Sequence, residues 1–206
     1  MIKKSLLLLA HPNLDVSIVN RTLIEKLTPF TSENLIIRNI SESCIDNHFN
    51  IEDEQFHLSN SERVIFQFPL YWYSCPAILK KWIDEVFLPG FAYGRKGEQL
   101  GTKLIGKQFS IIVSIGGTEQ MHTPGGIVGV SINELLRNLQ TTIEYVGGIY
   151  TYPFFIYGSA FIKEQAQLDA IFKDYQEYIF SEYIPKEKQY KKLINLAYEQ
   201  KAKGYY

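Results

Sequence analysis

Three short, nearly unbroken apolar runs set the fold class of this chain. Ser5-Leu6-Leu7-Leu8-Leu9-Ala10, Arg63-Val64-Ile65-Phe66-Gln67-Phe68 and Phe109-Ser110-Ile111-Ile112-Val113-Ser114-Ile115 lack the apolar/polar alternation of a sheet with one wet face. Such runs suit strands covered by helices on both sides. Residues 35–38 and 149–155 complete a set of five strands.

Segments of helical period lie between them. Val19, Leu23 and Leu27 recur at i, i+4 and i+8. Ile78, Leu79, Trp82, Ile83, Val86 and Phe87 form a wide stripe behind Pro76, which a first helical turn tolerates. Ser131-x-x-Glu134 reads as a capping box opening a helix through Leu135, Leu136, Leu139 and Ile143. Leu168, Ile171, Phe172, Tyr175 and Ile179 give a further helix that Pro185 ends, and a last one carries Tyr190, Leu193, Ile194 and Ala197. The segment 44–60 is polar and only weakly helical in pattern. Alternation of strand and helix implies a parallel sheet with right-handed crossovers.

A chain of 206 residues with 46% hydrophobic content can bury one α/β-sized core. No linker, charge block or repeat divides it, so residues 1–185 read as one domain and 186–206 as its helical tail. The net charge of −1 gives no bulk electrostatic case for nucleic acid or an anionic membrane as a partner. Met1-Ile2-Lys3-Lys4 before the first run superficially suggests a signal peptide. However, the run is shorter than the roughly 7–15 residues such a segment needs, and His11-Pro12 breaks it at once, so a buried strand explains it better. No stretch approaches the roughly 20 apolar residues of a membrane span, so no membrane insertion is expected and the expected location is cytoplasmic. Cys44 and Cys75 are the only cysteines and fit neither a disulfide framework nor a metal site.

In an open parallel sheet, ligands sit beyond the carboxyl ends of the strands. The loops after the first, third and fourth strands are therefore the candidates. The first reads His11-Pro12-Asn13-Leu14-Asp15-Val16-Ser17-Ile18-Val19-Asn20 and brings hydroxyl, amide and backbone N–H groups to a helix N-terminus, a ready anion site. Equally, Ser17 can be a plain cap and His11 a satisfied strand-end histidine. Neither G-x-G-x-x-G nor a P-loop is present. The loop after the third strand, Pro69-Leu70-Tyr71-Trp72-Tyr73-Ser74-Cys75-Pro76, holds three consecutive aromatics that no core requires. They suit a flat aromatic ligand, a neighbouring subunit, or both. The loop after the fourth strand contains Gly116-Gly117, which either lets a ligand approach the backbone closely or makes a simple turn.

Together these residues resemble the flavodoxin-like NAD(P)H:quinone oxidoreductase family, over roughly residues 5–160. The match leans toward its short branch, with modulators of drug activity and ancillary flavoproteins of potassium-efflux systems. Residues 69–87, continued by Gly90-Phe91-Ala92-Tyr93-Gly94, carry most of it; Ala10-His11-Pro12 with Ser17 and Asn20, and Gly116-Gly117, agree independently. The resemblance implies a doubly wound five-stranded parallel sheet of order 2-1-3-4-5, with helices on both faces. It places His11, Ser17, Ile18, Val19 and Asn20 around a flavin phosphate, and Leu70, Tyr71, Trp72 and Tyr73 along the isoalloxazine. Ser114, Ile115, Gly116 and Gly117 would line the other edge. The family works as a homodimer with interfacial sites, where Phe91 or Tyr93 of the partner closes a substrate pocket. This chain departs from the pattern at Tyr71, often Gln in relatives, and at Ser114-Ile115, often Thr-Thr. His122 stands where long members carry a Tyr that balances charge on the reduced flavin; it either takes over that catalytic role or is a plain loop residue.

The implied chemistry is ping-pong: NAD(P)H passes hydride to flavin N5, and a quinone or similar aromatic acceptor then receives it. FMN, with its single phosphate, suits the short chain, with FAD as the alternative. Rival functions are a flavin-binding regulatory subunit of a potassium-efflux transporter and a flavodoxin-type electron carrier. Carriers tend to be strongly acidic with a Ser/Thr-rich first loop, which this chain lacks.

Overall fold

The computed structural model describes residues 3–202; the first two residues of the expected 1–185 unit and the last four of the expected tail lie outside the described residues. In chain order the elements are β1 (Ser5–Leu9), α1 (Val19–Leu27), β2 (Leu35–Asn39), α2 (Ile40–Ser43), α3 (Ile51–Ser59), β3 (Arg63–Pro69) and α4 (Ala77–Val86). A small hairpin follows, β4 (Arg95–Lys96) and β5 (Gln99–Leu100), then β6 (Gln108–Ser114), α5 (Ile132–Leu135) and α6 (Arg137–Tyr145). The chain goes on through β7 (Ile149–Tyr150), β8 (Phe154–Ile156), α7 (Gln165–Phe180) and α8 (Lys186–Ala202).

The main sheet is parallel throughout, in the order β2-β1-β3-β6-β7, with β8 also pairing β6. This is the expected doubly wound order, with its fifth position filled by two pieces. The break has a local cause. Gln108 pairs Ile149 and Ile112 pairs Phe154, so the fifth strand carries one residue more than β6 between those pairs. Pro153 cannot donate to the ladder, and an extra residue in a strand bulges it. Thr151 anchors the bulge through its N–H to the Phe109 carbonyl (2.8 Å) and its hydroxyl to Ser110 (2.7 Å).

Alternate residues of one strand enter opposite cores, which is why the strands read as continuous apolar runs. Leu6 and Leu8 join the core shared with Leu79, Trp82, Leu139 and Ile143, from α4 and α6. Leu7 and Leu9 join the core built with Leu23 and Leu27 of α1 and Leu168 and Tyr175 of α7.

Other departures from expectation are equally local. The Ser131–Glu134 capping box is present, but the helix it opens is interrupted at Leu136 (φ −92°, ψ 7°), giving α5 and α6. Pro185 opens α8, its carbonyl accepting from Lys188 and Gln189, whereas α7 already stops at Phe180. Arg63 finishes α7: buried at the start of β3, it donates to the carbonyls of Tyr178, Ile179 and Ser181 and to the Ser110 hydroxyl. A cation at the negative end of a helix dipole is favourably placed. Within the polar segment 44–60, α3 is held by Glu54, almost fully buried, which accepts from Arg38 (2.7 Å) and Trp82 Nε1 (3.0 Å).

A chain of buried polar groups ties α1 and α7, the two helices of one face, to the sheet centre. Tyr175 OH donates to Gln67 Oε1 (2.7 Å), Gln67 Nε2 to Asn20 Oδ1 (3.2 Å), and Asn20 Nδ2 to Ser114 Oγ (2.8 Å). Gln67→Leu strands a buried acceptor on Asn20 and a buried donor on Tyr175; each orphan costs about 1–3 kcal/mol. Urea denaturation is expected to show a loss of about 2–4 kcal/mol, well above that of a surface substitution.

Candidate active site

The carboxyl ends of β1, β3 and β6 are neighbours in the sheet, so the three loops singled out above converge at one edge. His11 follows β1 directly. It is 6% exposed, accepts the Asn13 N–H at Nδ1 (3.2 Å) and meets the Tyr71 ring edge-on at 6.5 Å. Burial holds its imidazole below the usual histidine range. Ser17 Oγ accepts from the Asn20 N–H (3.2 Å) and so closes the entry to α1. Val19 and Asn20 are buried, whereas Ile18 is half exposed. Among the described residues, the N–H groups of Ile18 and Val19 find no protein acceptor. They stand at the N-terminus of a nine-residue helix, where partial positive charge gathers.

In the second loop, Leu70 N–H donates to the Ser114 carbonyl (2.8 Å), stitching the loop to β6. Tyr71 and Ser74 then exchange backbone hydrogen bonds around Trp72 (φ 44°) and Tyr73 (φ 63°). Two central residues at positive φ make a type I′ turn, whose usual occupants are Asn and Gly. A bulky side chain there costs roughly 1–2 kcal/mol per residue. The turn nonetheless lifts Trp72 to 93% exposure, with Tyr71 and Tyr73 about half exposed beside it.

In the third loop, Ser114 and Ile115 are buried, and Ile115 N–H pairs the Ile156 carbonyl (2.8 Å). A Cβ on Gly116 would make only an ordinary contact with the Ala160 side chain, at 3.8 Å. A Cβ on Gly117 would meet His122 Cε1 at 3.0 Å and Met121 Sδ at 3.1 Å, so a larger residue there requires those side chains to give way. Among the described residues, the N–H groups of Gly116, Gly117 and Thr118 find no protein acceptor. His122 is buried against this turn, its Nδ1 3.1 Å from the Thr118 carbonyl and its ring 6.2 Å from that of Tyr157. A carbonyl can only accept, so Nδ1 carries the proton, and Nε2 is the nitrogen left to exchange one. Burial raises the Tyr157 phenol above its usual range.

The substrate-pocket pair divides. Phe91 is 6% exposed within the α4–α6 core, while Tyr93 is exposed and packs beside Tyr145, ring centroids 6.1 Å apart. Sequence reasoning missed Gln67, Tyr175 and Tyr157. A glutamine inside an apolar run was the one available signal for the first. A separate cavity of about 820 Å³ lies away from these loops, between the bulge at 150–153 and α8.

Residues 3–179 match the protein family described as a flavodoxin-like fold. The chain belongs to that family. This flavodoxin-like protein is 36% identical over 162 residues to the "Uncharacterized NAD(P)H oxidoreductase YrkL" of Bacillus subtilis, covering 79% of this chain and 90% of that one. Two solved structures are each 28% identical, over 85% of this chain and 97% of theirs. One is general stress protein 14 of Treponema denticola in complex with FMN, at a TM-score of 0.77. The other is the NADPH-quinone reductase of P. pentosaceus, at 0.74.

The strained aromatic turn is expected to be held for binding rather than for stability. Trp72→Gly, which removes a side chain with almost no packing from a left-handed site, should raise thermal stability by about 1 kcal/mol in the ligand-free protein.

Proposed function

We propose that this chain is a flavin-dependent NAD(P)H oxidoreductase that binds FMN across the three loops and reduces quinone-like aromatic acceptors by a ping-pong mechanism. The observation that carries it is one sheet edge holding two groups of unpartnered N–H donors, Ile18–Val19 and Gly116–Thr118, beside an exposed aromatic turn. The likeness to NAD(P)H oxidoreductases and to an FMN complex supports it.

The donor set fits the cofactor. The α1 N-terminus, with Ser17, Ile18 and Val19, would hold one phosphate, which favours FMN over FAD. Amides of Gly116, Gly117 and Thr118 would donate to the polar edge of the ring system, and Leu70, Tyr71, Trp72 and Tyr73 would lie along its plane. His11 backs Tyr71, while Asn20, Ser114 and Ile115 fix the loops from below. Bound FMN supplies the two-electron relay between donor and acceptor. His122, with Nδ1 engaged by Thr118, would hold or release a proton at Nε2 on the ring's edge. Tyr93 would flank the acceptor. Trp72 has almost no cover from the described residues, which supports a homodimer with the site at its interface.

The purified protein is expected to show the visible flavin band, and chromatography of the released cofactor to give FMN. No flavin, even after addition of FMN or FAD, overturns the reading. Steady-state rates with NADPH and a soluble quinone should give parallel double-reciprocal lines. In the same assay His122→Ala should lower kcat about 10²-fold, the usual size of a lost proton-transfer group, with FMN affinity little changed. An unaltered kcat would remove His122 from the chemistry.

A further inference from the structure

The cavity of about 820 Å³ beneath α8 adjoins a second of about 360 Å³, and Arg63, Ser181, Glu182 and Tyr183 line both. The smaller one reaches Ser5, Arg63 and Gln108, the first residues of β1, β3 and β6. The pair therefore lies at the amino ends of the strands, opposite the three loops of the candidate active site. Close-packed interiors leave few voids larger than a water molecule, whereas the larger space has the size of a small-molecule pocket. Tyr150, Tyr178 and Tyr183 give it aromatic walls, and Ile184, Leu193 and Leu196 add aliphatic ones. Flat rings stack on such surfaces. Burial pushes the Tyr150 phenol up to about 12, so it stays a neutral donor.

Charge narrows the ligand. Arg63 is 6% exposed, and its partners are the Ser110 hydroxyl and the carbonyls of Tyr178, Ile179 and Ser181; none is a carboxylate. Its Nη2 makes only one of these bonds, at 3.3 Å, to a carbonyl that Nη1 shares. The end of α7 offsets part of the charge, yet burial still holds the guanidinium below its ordinary value. A buried cation is costly unless an anion meets it. Lys186 and Lys192 line the larger cavity with it, and Lys3 and Lys188 the smaller. The carboxylates facing these spaces are Glu144, which accepts from Gln140 Nε2 (2.8 Å), and Glu182, which also has a partner. Five cations against two carboxylates make these spaces locally basic in a chain whose net charge is −1. We propose that the larger cavity binds a small aromatic carboxylate, its rings among the tyrosines and leucines and its carboxylate toward Arg63, Lys186 and Lys192. An uncharged ring would leave the guanidinium unmet, and an alkyl chain would not use the aromatic walls.

The test is isothermal titration calorimetry of the full-length protein, kept in excess FMN, with naphthoate. Stoichiometric binding is expected, because the flavin edge lies at the other end of the sheet. Naphthamide, the same rings without the charge, should bind at least about tenfold more weakly, as should octanoate, which has the charge without the rings. Combined Lys186→Glu and Lys192→Glu should weaken naphthoate at least about tenfold, and Leu196→Trp, which fills the cavity, should abolish its binding. Arg63→Gln should lose it too but also loosens the end of α7, so the lysine and leucine variants carry the test, with circular dichroism to report that each is folded. Trp72→Gly should leave the affinity unchanged. Absence of naphthoate binding, or an affinity indifferent to Leu196→Trp, overturns the proposal. Loss of binding in Trp72→Gly overturns it in favour of the flavin edge, and equal binding of naphthamide or octanoate overturns the aromatic carboxylate as the ligand.

Discussion

Gln67 sits in the middle of the central strand with no solvent exposure, and its amide is the joint on which the site edge depends. One end accepts from Tyr175 of α7; the other donates to Asn20 in the first turn of α1, which in turn reaches Ser114 at the end of β6. Each group in this relay is buried, and in a low-dielectric interior a satisfied network rigidifies whereas a broken one is costly. The consequence is geometric. The N-terminus of α1 is held against the ends of β3 and β6, so the amides of Ile18 and Val19 and those of Gly116–Thr118 face one edge together.

Around that fixed edge the protein places strain and open donors. The Trp72-Tyr73 turn occupies backbone space that favours Asn and Gly, and is held by Leu70 N–H to Ser114 and by the paired Tyr71 and Ser74. Strain of this sort persists where surrounding structure over-determines it, and it gathers at binding sites. Gly117 serves the same economy of space, since its missing Cβ lets His122 close against the turn. The bulk of the fold is dry and alternately packed, so the irregular geometry falls at the loops.

Much of the sheet was legible because a strand buried on both faces leaves an apolar run too short for a helix and without the alternation of a half-wet strand. The three candidate loops stood out locally: two put aromatics or paired glycines where polar turn residues belong, and the first leads hydroxyl and amide groups to a helix N-terminus. What escaped depends on partners distant in the chain. The segment 44–60 looks polar, yet α3 forms because Glu54 meets Arg38 and Trp82. The fifth strand was expected whole, although Pro153 already marked its break. Phe91 and Tyr93 are equivalent on paper, and only the packing behind α4 buries one and leaves the other out.

The sequence alone determined the class of fold, the five strand positions of the main sheet and the loops in which chemistry should be sought, because periodicity and local turn preference are short-range properties of the chain. Only the tertiary structure decided that Asn20 and Ser114 are joined in a relay, that Trp72 is left exposed, and that Tyr190 and Tyr198 of α8 stay outside both cores. Those outcomes depend on which residues far apart in sequence meet in space, and on which polar groups then find partners.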